Sequence, residues 1–521
     1  MTGSEDITTP RPETRELGCL ALLAGLGFAG ACLLAKATPG GPAVAPDSVD
    51  YVIASRSLLA GQGLMVHAGP DGLAPMTHFP PLFPGVLAVI GLAGVDALDA
   101  ARWLNVALFG FNVALIGFLL WILNPSARWT PVFGSLLLLA TPTVLEHALA
   151  LSEPLFLALG FSGLALLARG IEKPSRGYVA AAGLAIGLAF LCRWAGVAFV
   201  AAGAAGVIAC GPRTLRLRLA TAAAFTILAA SPGLGWMLRN QWLAASASGR
   251  SLAWHPIGAL HIEQLADTLE QWGLLPPAYG LGVLALLCLF AVAATRLGRQ
   301  RAPAPPRGST ALAPLLGLFL VAYSGMLVLS ISLVDHQTPL NSRILVPVLL
   351  PAMVLLIHAV HRAVAILDRR PVAWAAAAAG AVFIAAHAMA TGPWLARSMR
   401  DGQPFFGKLG WSESDVVERV RQLPERVHIY SNGADALYLL TNRRASDLPR
   451  KANPASRTAN ARYGPEMREV LKRMRSGDAV IVWLDRMHWR WYFPTKKELL
   501  IHHPLRAAVL ADDGVIFVAK R

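Results

Sequence analysis

Charge is scarce in this chain, and acidic charge scarcest. Only 15% of its 521 residues are Asp, Glu, Lys or Arg, with 31 acidic against 46 basic side chains. Soluble domains carry about 25% charged residues. At 55% hydrophobic residues and a mean hydropathy of +0.51, a water-soluble globule is excluded. Cysteine is scarce too: Cys19, Cys32, Cys192, Cys210 and Cys288 all lie within or at the ends of apolar runs. That excludes a disulfide framework and a thiolate metal site. No internal repeat and no Gly-rich nucleotide loop is found. The net charge of +15 suggests nucleic acid, but the basic residues sit in short connectors and in the C-terminal tail. That distribution fits membrane topology and anionic lipid, so the bilayer is the expected partner and nucleic acid is not.

What the chain has instead is apolar runs of about twenty residues, the length that crosses a bilayer core as a helix. Spans are expected at 17–35, 102–123, 130–150, 154–170, 178–192, 195–210, 217–238, 279–296, 311–331, 343–366 and 372–392, about eleven in all. The first lacks a small-residue cleavage site and reads as a retained helix. The apolar run 82–95 is too short for a crossing and reads as interfacial or re-entrant.

Loop charge supports that choice. With 82–95 not crossing, the connectors holding Arg128, Arg169/Lys173/Arg176, Arg213/Arg216/Arg218, Arg296/Arg299/Arg301/Arg307 and Arg362/Arg369/Arg370 share one side. By the positive-inside rule that side is cytoplasmic. The N-terminus is then inside, and the loop 36–101 and the C-terminal tail are outside. The expected location is a bacterial inner membrane. Residues 1–395 form the membrane domain and 396–521 an extracytoplasmic α/β domain, with strands at 426–432, 478–485 and 515–519 and helices near 413–423 and 464–475.

The same assignment gathers the informative polar residues at the outer face. Asp47 and Asp50, with Tyr51, stand three apart after Pro46, on one side of a helix. Such a pair also suits a plain helix start, one acid capping and the other facing the dipole. His78 precedes the rigid Phe79-Pro-Pro-Leu-Phe-Pro84 run, where it can meet an anion or simply sit at the interface. Glu153, after Ser152 and before Pro154, opens a span, with Glu146 seven residues earlier. That pattern is a good helix N-terminus, yet an ionisable group so close to the apolar core is costly and usually functional. Arg193 interrupts more than thirty apolar residues, Arg239-Asn240 closes a span and Arg343 opens one. Outer-face arginines oppose the positive-inside bias. A bound phosphate, or a salt bridge to Glu153 or Asp335, accounts for each equally well.

Together these pieces resemble the GT-C superfamily of polyprenyl-phosphate-dependent glycosyltransferases, near the bacterial protein mannosyltransferases and lipid A aminoarabinose transferases. The resemblance is carried by Pro46-Asp-Ser-Val-Asp-Tyr51, Leu58-Leu-Ala-Gly-Gln-Gly63, Phe79-Pro-Pro-Leu-Phe-Pro84, Ala101-Arg-Trp-Leu-Asn105, Ser152-Glu-Pro-Leu-Phe156, Leu238-Arg-Asn240 and Ser342-Arg343 with Pro347. In the tail it is carried by Tyr430-Ser-Asn-Gly433 and Thr441-Asn-Arg443. It implies an α-helical polytopic membrane protein of GT-C type with a C-terminal extracytoplasmic α/β domain. It implies transfer of a sugar from a polyprenyl-phosphate carrier to a hydroxyl on a lipid, glycan or protein, with inversion. By position Asp47 takes the role of catalytic base, with Asp50 and Glu153 as further acids. Tyr51, His78, Glu146, Arg193, Arg239, Asn240 and Arg343 are candidates for substrate binding. The chain departs from familiar members in having Asp-Ser where several have Asp-Glu, and His78 in place of Lys. No cofactor is diagnosed by the sequence; a divalent metal bridging acids and phosphate is compatible with these ligands but not diagnosed by them. The alternatives are a secondary transporter and a non-enzymatic binder or flippase subunit for lipid-linked sugars. A transporter would place ionisable residues at mid-membrane and show repeat symmetry.

Overall fold

The computed structural model describes residues 12–67, 73–127, 129–211, 214–248, 252–274, 308–367, 370–402, 414–441, 443–454 and 457–520. The chain begins with α1 (Pro12–Ala37). A polar excursion follows, made of α2 (Pro46–Leu59), a short hairpin of β1 (Met65–His67) and β2 (Leu73–Pro75), and α3 (Leu82–Gly91). Then come α4 (Ala97–Leu123), α5 (Trp129–Ala140), α6 (Thr143–His147), α7 (Glu153–Glu172), α8 (Arg176–Cys192), α9 (Val197–Cys210), α10 (Leu215–Ala244) and α11 (Ala259–Gly273). After them run α12 (Leu312–Leu333), α13 (Ser342–Leu367) and α14 (Arg370–Asp401).

Seven of these helices are long and apolar enough to cross a bilayer: α1, α4, α7, α10, α12, α13 and α14. The shorter α5, α8 and α9 also fall on expected spans. The expected span at 279–296 lies outside the described residues. At ten residues α3 is too short to cross, as its sequence suggested. The expected span at 130–150 is broken between α5 and α6. Pro142 brings no N–H to the helix, and the hydroxyls of Thr141 and Thr143 both donate to the Leu138 carbonyl that the next turn would have used.

Small residues allow the helices to approach closely. At the α1–α4 crossing a Cβ on Gly27 would stand 2.6 Å from the Gly110 carbonyl oxygen, and one on Gly110 would stand 2.6 Å from that of Gly27. The pair Gly203 and Gly206 serves packing in the same way, against Phe225 and Leu315.

Contacts between loops sort the two ends of the bundle. At one end the chain around Ala43 bonds to Ala148 and Ala150, Asn105 to the carbonyls of Leu149 and Leu151, and Trp194 to the carbonyl of His78. At the other end Glu172 accepts from Ser309, Thr310 and Ala311, and His358 meets Asn124. Arg169, Lys173, Arg176, Arg216 and Arg218 lie in the helix ends and connectors of this second end.

Beyond α14 the composition supports a sheet. It has the order β4-β3-β5-β7-β6, from β3 (His428–Ser431), β4 (Ser446–Asp447), β5 (Ala479–Leu484), β6 (Leu505–Ala511) and β7 (Gly514–Ala519). β3 runs parallel to β4 and β5, and β7 antiparallel to β5 and β6. The helices α15 (Asp415–Gln422), α16 (Ala434–Thr441), α17 (Tyr463–Arg475) and α18 (Lys496–His502) complete this unit. Alternation decides which residues go where. Ile481, Trp483, Val515 and Phe517 pack with Met467, Val470 and Leu499 on one face. Val480, Val482, Leu484 and Ile516 face the other way, into a cluster that holds Val416, Val420 and Leu437 together with Val49 and Ile53 of α2. The sheet therefore packs onto α2, the helix that carries Asp47 and Asp50.

Candidate functional site

α2 starts where its sequence says it starts. Ala45 is extended, Pro46 occupies the first turn, and the Ser48 hydroxyl accepts from the Ala45 N–H at 3.1 Å. Asp47 is therefore not the cap, which leaves its carboxylate available. It is taken by Arg343: Nη2 donates to Asp47 Oδ2 at 2.5 Å, while Nε of the same guanidinium donates to Glu153 Oε1 at 2.6 Å. Arg193 meets that same Glu153 oxygen at 2.8 Å. Arg193 gets there because α8 stops at Cys192 and the residue itself is extended, which interrupts the long apolar stretch as expected.

Two arginines, 150 residues apart in the chain, thus meet at a single carboxylate oxygen. Glu153 is 3% exposed, and its Oε2 is buried with no partner. Ser152 was a natural cap in the sequence, but it makes no cap bond. Its hydroxyl accepts from Arg193 Nη1 at 3.1 Å and lies 3.2 Å from the Tyr51 hydroxyl. The Tyr51 ring sits between Phe79 and Phe83, at 5.0 and 5.1 Å. Tyr323, which the sequence gave no reason to choose, donates to the Ile344 carbonyl at 2.8 Å and so fixes the backbone next to Arg343.

Other expected residues fall elsewhere. Arg239 donates to the Met76 carbonyl at 2.8 Å and stacks on Trp236, and Asn240 donates to the carbonyls of Thr77 and Ala247. With Trp194 on the His78 carbonyl and Trp236 on that of Phe79, these side chains hold the 76–79 segment in place. Prolines at 80, 81 and 84 leave few N–H groups in this segment, so its carbonyls are satisfied from outside. The His78 ring packs edge-on to Phe79 and lies close enough to Asp47 to affect its charge. Glu146 is buried beside Ser342, and its Oε2 has no partner. His147 is fixed by the Thr143 carbonyl and Asn112.

The two aspartates of α2 separate. Burial pushes the Asp47 carboxyl up, but Arg343, Arg193 and His78 together hold it below the usual carboxylate range. Asp50, one turn further on, faces the sheet unit. Burial first, then Asp47, Asp435 and Asp447, push its carboxyl up to about 8, against the opposing pull of Arg490. Arg490 is itself clamped on Asp435 by two hydrogen bonds of 2.9 and 2.5 Å. A carboxyl raised on folding stabilises the fold fully at pH below its unfolded value, near 4, and this contribution is lost as pH rises through 8. Asp50→Asn is therefore expected to flatten the pH dependence of the melting temperature between about pH 4 and 8 and to raise it at the alkaline end. A melt series in detergent checks this.

Among the described residues no group of three or more His, Cys, Asp or Glu is arranged to hold a metal ion.

No protein-family model matches the sequence, and no curated protein matches it either. Solved structures do. ArnT from Cupriavidus metallidurans bound to undecaprenyl phosphate superposes with a TM-score of 0.59 at 14% identity, covering 98% of this chain and all of that one. The apo oligosaccharyltransferase of Archaeoglobus fulgidus gives 0.50 at 13%, covering 98% of this chain and 75% of its own. The arabinofuranosyltransferase AftD from Mycobacteria gives 0.50 at 15%, covering 96% of this chain and 40% of its own. This is the GT-C fold. At these identities the likeness defines the frame, and the roles of individual residues rest on the geometry above.

Proposed function

We propose that this protein is a membrane glycosyltransferase that moves a sugar from a polyprenyl-phosphate carrier to a hydroxyl acceptor. The observation that carries the reading is Arg343 bridging Asp47 and Glu153, an anion-binding group hydrogen-bonded to the candidate base. The similar ArnT structure holds undecaprenyl phosphate, and a second oligosaccharyltransferase structure, with a TM-score of 0.50, is tethered to an acceptor peptide. Both support a lipid-linked donor and a separate acceptor. The loop charges support an N-terminus inside and a site at the outer face of a bacterial inner membrane.

In this reading Arg343, with Arg193 beside it, takes the donor phosphate. Drawing Arg343 toward the phosphate weakens its bond to Asp47, and the carboxylate becomes more basic as the donor binds. Asp47 then removes the acceptor hydroxyl proton while the acceptor oxygen bonds to the anomeric carbon. The carbon–oxygen bond to phosphate breaks, and its electron pair leaves on the phosphate, where the arginines stabilise the charge. A single displacement inverts the anomeric centre. Glu153 anchors both arginines, and Glu146 lies beside them. Asp50 bears on the packing of the sheet unit, and Arg239 and Asn240 on the 76–79 segment.

Membranes containing the full-length protein, supplied with a panel of polyprenyl-phosphate sugars and assayed for sugar release from the lipid, test the reading. Transfer from at least one donor is expected; binding of every carrier without turnover overturns it in favour of a non-enzymatic binder. A transporter is not favoured, because Asp47 stands on a helix outside the candidate spans.

A further inference from the structure

Residues 252–262, between α10 and α12, turn large apolar side chains outward. Residues 252–257 run extended along the last turn of α12, with the Ala253 N–H donating to the Leu333 carbonyl at 3.0 Å and the His255 N–H to that of Ser332 at 2.8 Å. The residues that alternate with them point away from the protein: Leu252 is 82% exposed and Trp254 73%. α11 repeats the pattern. Three of its polar side chains bond to the protein, His261 Nε2 donating to the His336 carbonyl, Gln264 accepting from the Leu340 N–H and Thr268 donating to the Leu340 carbonyl, and Leu265 and Trp272 pack against the bundle. Its Leu260 and Ile262 are exposed. Trp242, at the end of α10, is 91% exposed and adds to the same apolar surface.

A surface helix in water turns its apolar side inward. Here Leu252, Trp254, Leu260 and Ile262 face outward while the backbone at 253 and 255 and the His261 ring are bonded to the protein, an arrangement that suits an apolar medium outside. We infer that residues 252–262, with Trp242, seat in the bilayer at the boundary between headgroups and acyl chains. Two observations choose lipid over a protein partner. The patch continues the exposed apolar faces of α10 (Ile227, Leu234, Leu238) and α12 (Val321, Val328, Leu329), both candidate spans. The hydrogen bonds to Ser332 and Leu333 set it at the level where α12 ends, and that is where tryptophan concentrates in membrane proteins. The later part of α11, with exposed Glu263, Asp267 and Glu270, faces water. Through His336 and Leu340 the seated segment is tied to the loop that leads into Arg343. The inference stands independently of the proposed transfer reaction.

The test places an environment-sensitive fluorophore on Trp254→Cys and, separately, on Glu270→Cys. The background is full-length protein with its native cysteines replaced, reconstituted in phospholipid vesicles. The label at 254 is expected to be quenched several-fold more by lipids brominated high on the acyl chain than by aqueous iodide, and the label at 270 the reverse. Iodide quenching at 254 equal to that at 270 places the segment in water and overturns the inference. Shielding of 254 from both quenchers means that protein, such as a second copy, covers the patch, and overturns it equally. Gel filtration of each labelled protein confirms that it is folded.

Discussion

Asp47→Asn is expected to lower sugar transfer by about 10²–10⁴-fold, the range a positioned general base contributes. Affinity for the polyprenyl-phosphate carrier should change little. Asn keeps an oxygen that can accept from Arg343, and Arg343 keeps its bond to Glu153, so the phosphate-binding groups stay where they are. Kinetics of the variant beside a carrier-binding measurement read the two effects separately. Unchanged transfer would sink the assignment of Asp47 as base. The wild-type pH profile carries a second expectation. In the free enzyme Arg343 holds the Asp47 carboxyl low, so the acidic limb of kcat/KM lies below the ordinary carboxylate range. Once phosphate competes for Arg343 that depression relaxes, and the acidic limb of kcat is expected at higher pH than that of kcat/KM. Coincident limbs would mean that Arg343 stays on Asp47 throughout turnover.

The frame is legible in the sequence because bilayer thickness and loop charge are strong, local constraints: among the described residues nine of the expected spans each lie on a single helix, and the apolar run 82–95 is too short to cross. The break at Thr141-Pro142 was less so, because an apolar run conceals a stop that depends on two threonine hydroxyls competing for one carbonyl. At the site, Asp47, Glu153, Arg193 and Arg343 could be chosen as charges out of place at a membrane boundary, but nothing in the sequence reveals that three of them share one oxygen. Tyr323 carries no such signal, since a tyrosine within a span is unremarkable until its hydroxyl finds the Ile344 carbonyl. The spacing of Asp47 and Asp50 suggested a pair. Packing separates them, because the sheet unit brings Asp435 and Asp447 to one and the helical bundle brings Arg343 to the other.

Glu153→Gln is expected to be the most destabilising change at the site. The wild-type carboxylate, 3% exposed, offsets two guanidiniums that are themselves largely buried. Removing its charge leaves that pair compensated only by Asp47, and breaking a buried ion pair from one side costs about 3–5 kcal/mol. A thermal melt in detergent reads the loss, and a melt identical to wild type would show that the network contributes nothing to folding. The added change Arg193→Met distinguishes charge from hydrogen bonding. If uncompensated charge is the cause, the double variant recovers part of the loss; if lost hydrogen bonds are the cause, it is worse than the single variant. Glu153→Gln should also weaken carrier binding, because both arginines lose their anchor, whereas Asp47→Asn leaves binding intact. Two carboxylates that reach the same guanidinium are thereby separated by experiment, one as the group that takes the proton and the other as the group that holds the arginines for the phosphate.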